Sequence, residues 1–412
     1  MKVHLMGAGG TGVSSLALVL AARGEQVSGC DARLSETTEL LEKAGIPVAL
    51  GHDPRHVQGV DLLVRSAAVA SQAPEPAAAR AAGIRTITRA ELLADLIAGS
   101  DSVAVAGTHG KTTTTHMLGK VLTAAGLDPA VLVGDGRSTR AGGGRWLVAE
   151  ADESDGSLAL HHPRHAIVTN LELDHPDFYA DLAAVREVFQ RFASQVGELA
   201  VVCADDAEVM ALRFGGRRVT YGLENADYTP AGLGLRLRVP GRHNLLNASA
   251  AAAMAIELGV PEAVARETLE AFTGAHRRFE LIGEWRGASL YDDYGHHPTE
   301  IRATLEAARE LNPKRLLLVF QPHRYTRLKA LLDEFALSFD GADQVIITEV
   351  YAAGEEPNGI SARQLAEKVP GARFAPHLDT VRDDLFSLVE PGDLVLFMGA
   401  GDIWKVPHEL AG

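Results

Sequence analysis

Residues 102–126 read SVAVAGTHGKTTTTHMLGKVLTAAG. An apolar run, Val103 to Ala106, meets Gly107-Thr108-His109-Gly110-Lys111-Thr112-Thr113. Beyond it Met117, Leu118, Val121 and Leu122 recur at helical spacing, and Gly126 supplies a stop. Strand, glycine-rich turn and helix in this order let backbone N–H groups at a helix start close on phosphate oxygens. Gly107 and Gly110 allow the close approach, Lys111 can reach β- and γ-phosphates, and the Thr112 hydroxyl can ligate Mg²⁺. A full G-x-x-x-x-G-K-[ST] motif needs glycine at 105, where this chain has Val105, so the match is a shortened variant. The plainer alternative is a glycine turn with an exposed lysine. The chain carries 8 Lys against 31 Arg, however, so a lysine inside such a loop stands out.

Around this centre the chain divides into three blocks, 1–99, 100–280 and 281–412, as its 412 residues lead one to expect. In the first, "VHLM", "QVSGC", "DLLVRS" and "IRTIT" read as strands between helical stretches, which is βαβ alternation and hence a parallel sheet. Gly99 to Ser102 reads as a short linker. The second block adds strand-like "RWLVAE", "HAIVTN" and "LAVVCA". The third, opening near Leu281, adds "KRLLLVF", "DQVIITEV" and "DLVLFMG" as buried parallel strands. The expected fold class is therefore α/β, in three blocks.

Composition narrows the function. A net charge of −15 argues against nucleic-acid binding and means that an anionic substrate must be met by local cations. Two cysteines, Cys30 and Cys203, make no disulfide framework. No signal-like or membrane-spanning apolar stretch is read, so a cytoplasmic, non-membrane protein is expected.

A second glycine turn stands at the start. Gly7, Gly9 and Gly12 fit G-x-G-x-x-G, with Asp31 about 20 residues on, as in a dinucleotide-binding turn. Taken alone this leaves a nicotinamide-dependent oxidoreductase open. Further chemistry collects at strand ends, the usual ligand edge of an open α/β sheet. Glu150 ends "RWLVAE", and the acids Asp152 and Asp155 after it read as a solvated loop. His175 lies in "LELDHPDFY", either as a metal ligand or as a structural histidine. Asn244 and Asn247 share a helix face, as nucleotide contacts or with Asn244 as an N-cap. Arg277 and Arg278 precede the third block. Asp293, Tyr294, His296 and His297 end one of its strands, and His323, Arg324 and Arg327 end the next, where arginines can bind carboxylate or phosphate bidentately.

The motifs "GTHGKTTTT", "AEADESDGS", "LELDHPDFY", "GRHNLLNASAA", "RRFE", "DDYGHHPTEI", "QPHRYTR" and "AGE", in this order over nearly the whole chain, resemble the Mur ligase family. The resemblance implies ATP-dependent joining of L-alanine to the carboxylate of UDP-N-acetylmuramate through an acyl phosphate. Attachment of a tripeptide to the same sugar nucleotide is the alternative. It implies a three-domain α/β fold, with Rossmann-like N- and C-terminal domains flanking a central P-loop ATPase-like one, ATP and Mg²⁺ as cofactors, and a monomer or weak homodimer. The first glycine turn would then hold a UDP-sugar through Gly9, Gly10, Thr11, Asp31 and Ser66. ATP would lie on Gly107, Thr108, His109, Gly110, Lys111, Thr112, Thr113, Asn244, Asn247, Arg278 and Asp293. Metal would be held by Thr112, Glu150 and His175. Tyr294, His296, His323, Arg324 and Arg327 would shape the alanine and muramoyl pocket. Residues 171–199 contain no lysine, so the carbamylated lysine of later-acting members is expected to be absent.

Overall fold

The computed structural model describes residues 1–70, 72–134 and 138–412. Its architecture is three-domain α/β, built on three sheets. The first sheet holds β1 (Lys2–Met6), β2 (Gln26–Asp31), β3 (Val48–Leu50), β4 (Leu62–Arg65) and β5 (Arg85–Thr88) in the order β3-β2-β1-β4-β5. All of its pairings are parallel. The second holds β6 (Asp101–Ala106), β7 (Ala130–Leu132), β8 (Trp146–Glu150), β9 (His165–Val168), β10 (Leu199–Cys203) and β11 (Arg217–Tyr221), ordered β11-β10-β9-β6-β8-β7 and again parallel. Their central strands are buried on both faces, which is why they read as unbroken apolar runs. The supposed linker is shorter than expected. β6 already begins at Asp101, and Ser102 is buried in it, its hydroxyl accepting from the Arg164 N–H.

The third sheet holds β12 (Glu280–Trp285), β13 (Ala288–Asp293), β14 (Leu316–Phe320), β15 (Gln344–Thr348), β16 (Arg373–Ala375) and β17 (Leu394–Met398), ordered β12-β13-β17-β14-β15-β16. Only β12 is antiparallel, folded onto β13 as a hairpin. Its two-residue turn is Arg286-Gly287, both at positive φ (52° and 80°), the combination that matches the twist of paired strands.

By packing, the chain forms two units. One comprises Met1–Leu171, Val185–Leu235 and Asn247–Leu269, and carries the first two sheets. The other comprises Glu172–Ala184, Arg236–Leu246 and Glu270–Gly412, and carries the third. In the first unit a single core runs from Leu16, Val19 and Leu20 of the helix Thr11–Ala22 to Leu132 and Leu147 of the second sheet. In the second, Leu318, Phe320 and Leu396 pack on one sheet face, and Leu317, Val319 and Phe397 on the other.

Candidate active site

In the first unit β6 ends at Ala106, the turn spans Gly107–Gly110, and a helix runs from Lys111 to Ala124. Val105 is still strand and fully buried, so the shortened motif needs no glycine there. Two glycines are required. At Gly107 (φ 136°) a Cβ would lie 1.9 Å from Thr169 Oγ1, and at Gly110 (φ 82°) 2.5 Å from Asn247 Oδ1. Thr169 and Asn170 at the end of β9 brace the turn. The Thr108 N–H donates to the Asn170 carbonyl, the His109 N–H donates to Asn170 Oδ1 at 2.7 Å, and Thr169 Oγ1 donates to the His109 carbonyl.

Lys111 Nζ curls over the loop, donating to the Gly107 carbonyl at 2.6 Å, the Thr108 carbonyl at 3.1 Å and Glu153 Oε2 at 2.8 Å. Burial opposes its charge, but Glu153, Asp152 and Glu150 together hold the ammonium above the usual lysine range. Burial pushes Glu153 up to about 7, against the pull of Lys111. The Thr112 hydroxyl donates to Glu150, whose other oxygen accepts from the Gly134 N–H. Thr113 is buried behind the loop, and Thr114 Oγ1 donates to Asn247 Oδ1 at 3.2 Å. Hydroxyl and carboxylate side by side form the oxygen-only set that suits Mg²⁺, so Thr112 and Glu150 fit that ion.

The opening glycine turn is also closed. The Gly7 and Ala8 N–H groups donate to the Cys30 carbonyl, and the Gly9 N–H donates to Asp31 Oδ2 at 2.8 Å. Gly10 caps the helix beginning at Thr11, both being exposed. A Cβ on Gly7 would lie 3.0 Å from that of Ser66. Asp31 thus shapes the turn.

In the second unit the strand ends converge on Asp174, which is 5 % exposed. Arg327, itself 2 % exposed, donates through Nε to Asp174 Oδ1 (2.8 Å) and to its carbonyl (3.0 Å). His175 Nε2 and His296 Nε2 stand 3.5 and 3.6 Å from Asp174 Oδ2. Burial opposes its ionisation, yet His296, Arg327 and His175 hold the Asp174 carboxyl well below the usual range. His323 stacks on Tyr351, and burial with His296, Arg327 and Arg324 nearby lowers it to about 3, so it is neutral. Arg324 Nη1 donates to Asp177 at 2.9 Å and faces Glu355 at 3.5 Å.

On the same unit Tyr294 lies between Arg277 and Arg278, each guanidinium 5.1 Å from the ring centre. Asp293 accepts from the Phe279 and Gly295 N–H groups, and burial raises it to about 6 against the pull of Arg278. Glu300 accepts from the His296 and His297 N–H groups in a capping box at the helix Pro298–Glu310. Asn244 sits inside the helix Arg242–Glu257 and donates to the Pro240 carbonyl, so it is not an N-cap.

Within each unit, then, the predicted residues assemble: the phosphate loop with Glu150 and Asn247 in one, and His175, His296, His323, Arg324 and Arg327 in the other. Three partners went unread in the sequence: Glu153, lost in an acidic loop, Asn170, and Asp174, taken only as the neighbour of His175.

Family models cover most of the chain. Residues 2–100 match the Mur ligase family catalytic domain, 105–255 the Mur ligase middle domain and 277–401 the Mur ligase glutamate ligase domain. The chain belongs to the Mur ligase family, the ATP-dependent amide-forming ligases. It is similar to the UDP-N-acetylmuramate–L-alanine ligase of Solibacter usitatus, at 44 % identity over 99 % of this chain and 94 % of that one. The ligase of the same name from Symbiobacterium thermophilum is 43 % identical over 100 % and 94 %. Among solved structures, the UDP-N-acetylmuramate–alanine ligase of Thermotoga maritima superposes with a TM-score of 0.79 at 30 % identity, covering 100 % of this chain and 98 % of that one. A murein peptide ligase of Psychrobacter arcticus reaches 0.68 at 25 %, over 100 % and 98 %. Membership answers the question posed by the first glycine turn, since a nicotinamide oxidoreductase has no use for the second.

Proposed function

We propose that this chain joins L-alanine to the carboxylate of UDP-N-acetylmuramate at the expense of ATP, in the cytoplasmic assembly of peptidoglycan precursors. The observation that carries the reading is the loop Gly107–Thr112, with Lys111 Nζ drawn over its own carbonyls beside the Thr112–Glu150 pair. A muramoyl carboxylate oxygen attacks the γ-phosphorus in line, the bond to the β,γ-bridging oxygen breaks, and acyl phosphate and ADP form. The alanine amine then attacks the acyl carbon and loses a proton, and phosphate leaves. Lys111 exchanges Glu153 and the loop carbonyls for phosphate oxygens, and a Glu153 raised to about 7 can take a proton as its partner departs. Thr112 and Glu150 would hold Mg²⁺, which would supply positive charge against the repulsion between carboxylate and triphosphate.

The assignment of labour follows the blocks: 1–99 for the UDP-sugar, 100–280 for ATP and metal, and 281–412 for the amino acid and ATP. Gly9, Gly10, Thr11, Asp31 and Ser66 serve the first. Tyr294, His296, His323 and Arg324 serve the third, with Arg327 setting the position of Asp174. His175 is assigned a metal role, tested by the Mg²⁺ dependence of His175→Ala. The decisive measurement is phosphate release with UDP-N-acetylmuramate, ATP and each candidate amine. Alanine should support turnover and outcompete the tripeptide, and the reverse preference overturns the reading. Lys111→Ala should lower alanine-dependent turnover by at least about 10²-fold while circular dichroism stays native. Near-normal turnover refutes the assignment.

A further inference from the structure

Behind the opening glycine turn, the first sheet buries a cluster that the ligase reaction does not use. Glu75, in the helix Pro74–Ala81, is fully buried, as is Cys30 of β2. Glu75 Oε1 lies 3.0 Å from His52 Nδ1, 3.2 Å from His56 Nδ1, 3.5 Å from Cys30 Sγ and 3.0 Å from the Asp53 N–H. Cys30 Sγ is 3.7 Å from His52 Nδ1. His4 of β1, 3 % exposed, completes the group: one of its ring nitrogens lies within 4.8 Å of Cys30 and His56 donors.

Hydrogen bonding satisfies this cluster poorly. Four groups crowd one carboxylate oxygen, which offers two lone pairs. The other oxygen, Glu75 Oε2, is buried with no partner, and so is His4 Nε2. Two orphaned buried atoms in one cluster call for an occupant. Its chemistry follows from the donors. Imidazoles and a thiol select a borderline-soft ion over Mg²⁺ or Ca²⁺. Tetrahedral bonds of about 2.0–2.3 Å place ligand atoms about 3.3–3.8 Å apart, close to the separations observed here. Burial lowers His4 to about 4, leaving it neutral and able to ligate. Cys30 would ligate as the thiolate, so binding releases its proton to solvent.

We infer that Cys30, His52, His56 and Glu75, with His4 beside them, form a structural site for a zinc-class divalent ion. The site would tie β1, β2, the 52–57 turn and the helix at Glu75 together directly behind the opening glycine turn, whose Gly7 and Ala8 N–H groups rest on the Cys30 carbonyl.

The test is titration of the full-length, chelator-stripped chain with Co²⁺ in excess Mg²⁺. One equivalent should produce a thiolate-to-cobalt charge-transfer band that Zn²⁺ bleaches. Cys30→Ser should abolish it and Cys203→Ser should leave it. Should Cys30→Ser misfold by circular dichroism, His56→Gln provides the second variant, with Co²⁺ affinity reduced at least about tenfold. Absence of a charge-transfer band in the wild type overturns the site, as does a band that survives in folded Cys30→Ser or an affinity unmoved by His56→Gln.

Discussion

Arg327 illustrates what a single side chain conceals. In sequence it stands beside Arg324 as a second substrate-binding cation, but in the structure its guanidinium belongs to Asp174, 153 positions away. Removing one member of such a buried pair strands the other charge. Asp174→Asn should therefore cost about 3–5 kcal/mol in urea unfolding, and the double variant Asp174→Leu, Arg327→Met should recover much of it. Additive losses would show that the pair is uncoupled. The partners that went unread, Glu153 and Asp174, share this cause: a carboxylate's value here depends on a cation distant in the chain, and spacing cannot supply that. The placement of Lys111, Glu150 and Gly107 was legible because a loop and a strand end define it. His161 gives a titration to follow. Buried at 1 % exposure, with Nδ1 lacking a partner, it is lowered by burial and then Arg89 to about 4. The unfolded chain takes up its proton first as pH falls, so the stability tied to a neutral His161 is present above about 6.5 and lost below. Relative to His161→Gln, the wild type should lose up to about 1.4 kcal/mol per pH unit between 6.5 and 4, read from urea midpoints.

The elements differ in how plainly they announce themselves. The buried central strands and the long amphipathic helices follow from apolar runs and periodicity. The three-residue strands β3, β7 and β16 are too short for any pattern, and they form because a neighbour already presents its edge. β12 escaped notice for another reason. Only half-buried, it shows no clean alternation, and its turn uses Arg286 where asparagine or aspartate usually signals a hairpin. Among the described turns, the phosphate loop tolerates least. Gly110→Ala adds about 1–2 kcal/mol of left-handed strain and drives a methyl into Asn247, so calorimetry should find ATP binding weakened at least about tenfold. Gly126→Ala, with similar φ but nothing within 4 Å, should lose comparable stability and keep nucleotide affinity.

For the molecule as a whole, a net charge of −15 sets the terms on which three anionic or zwitterionic substrates are handled. Lys111, Arg324 and Arg327 each face a carboxylate, and the proposed reaction therefore leans on a divalent ion at Thr112 and Glu150. EDTA should stop alanine-dependent phosphate release, and Mg²⁺ alone should restore it. Turnover restored by another divalent ion where Mg²⁺ fails, in Cys30→Ser as in the wild type, would assign the reaction to a different ion. The block order was readable from end to end, whereas the grouping of residues 172–184 and 236–246 with the third sheet was not, because it depends on packing between distant segments. The two thiols carry a practical corollary. Cys30 and Cys203 are both buried, and burial pushes Cys203 up to about 11, which makes them sluggish toward alkylating dyes. Cysteines introduced at exposed Leu50 and Leu337, one on each unit, could therefore be labelled over a silent background, giving a fluorescence ruler for the catalytic cycle without first stripping the native sulfurs.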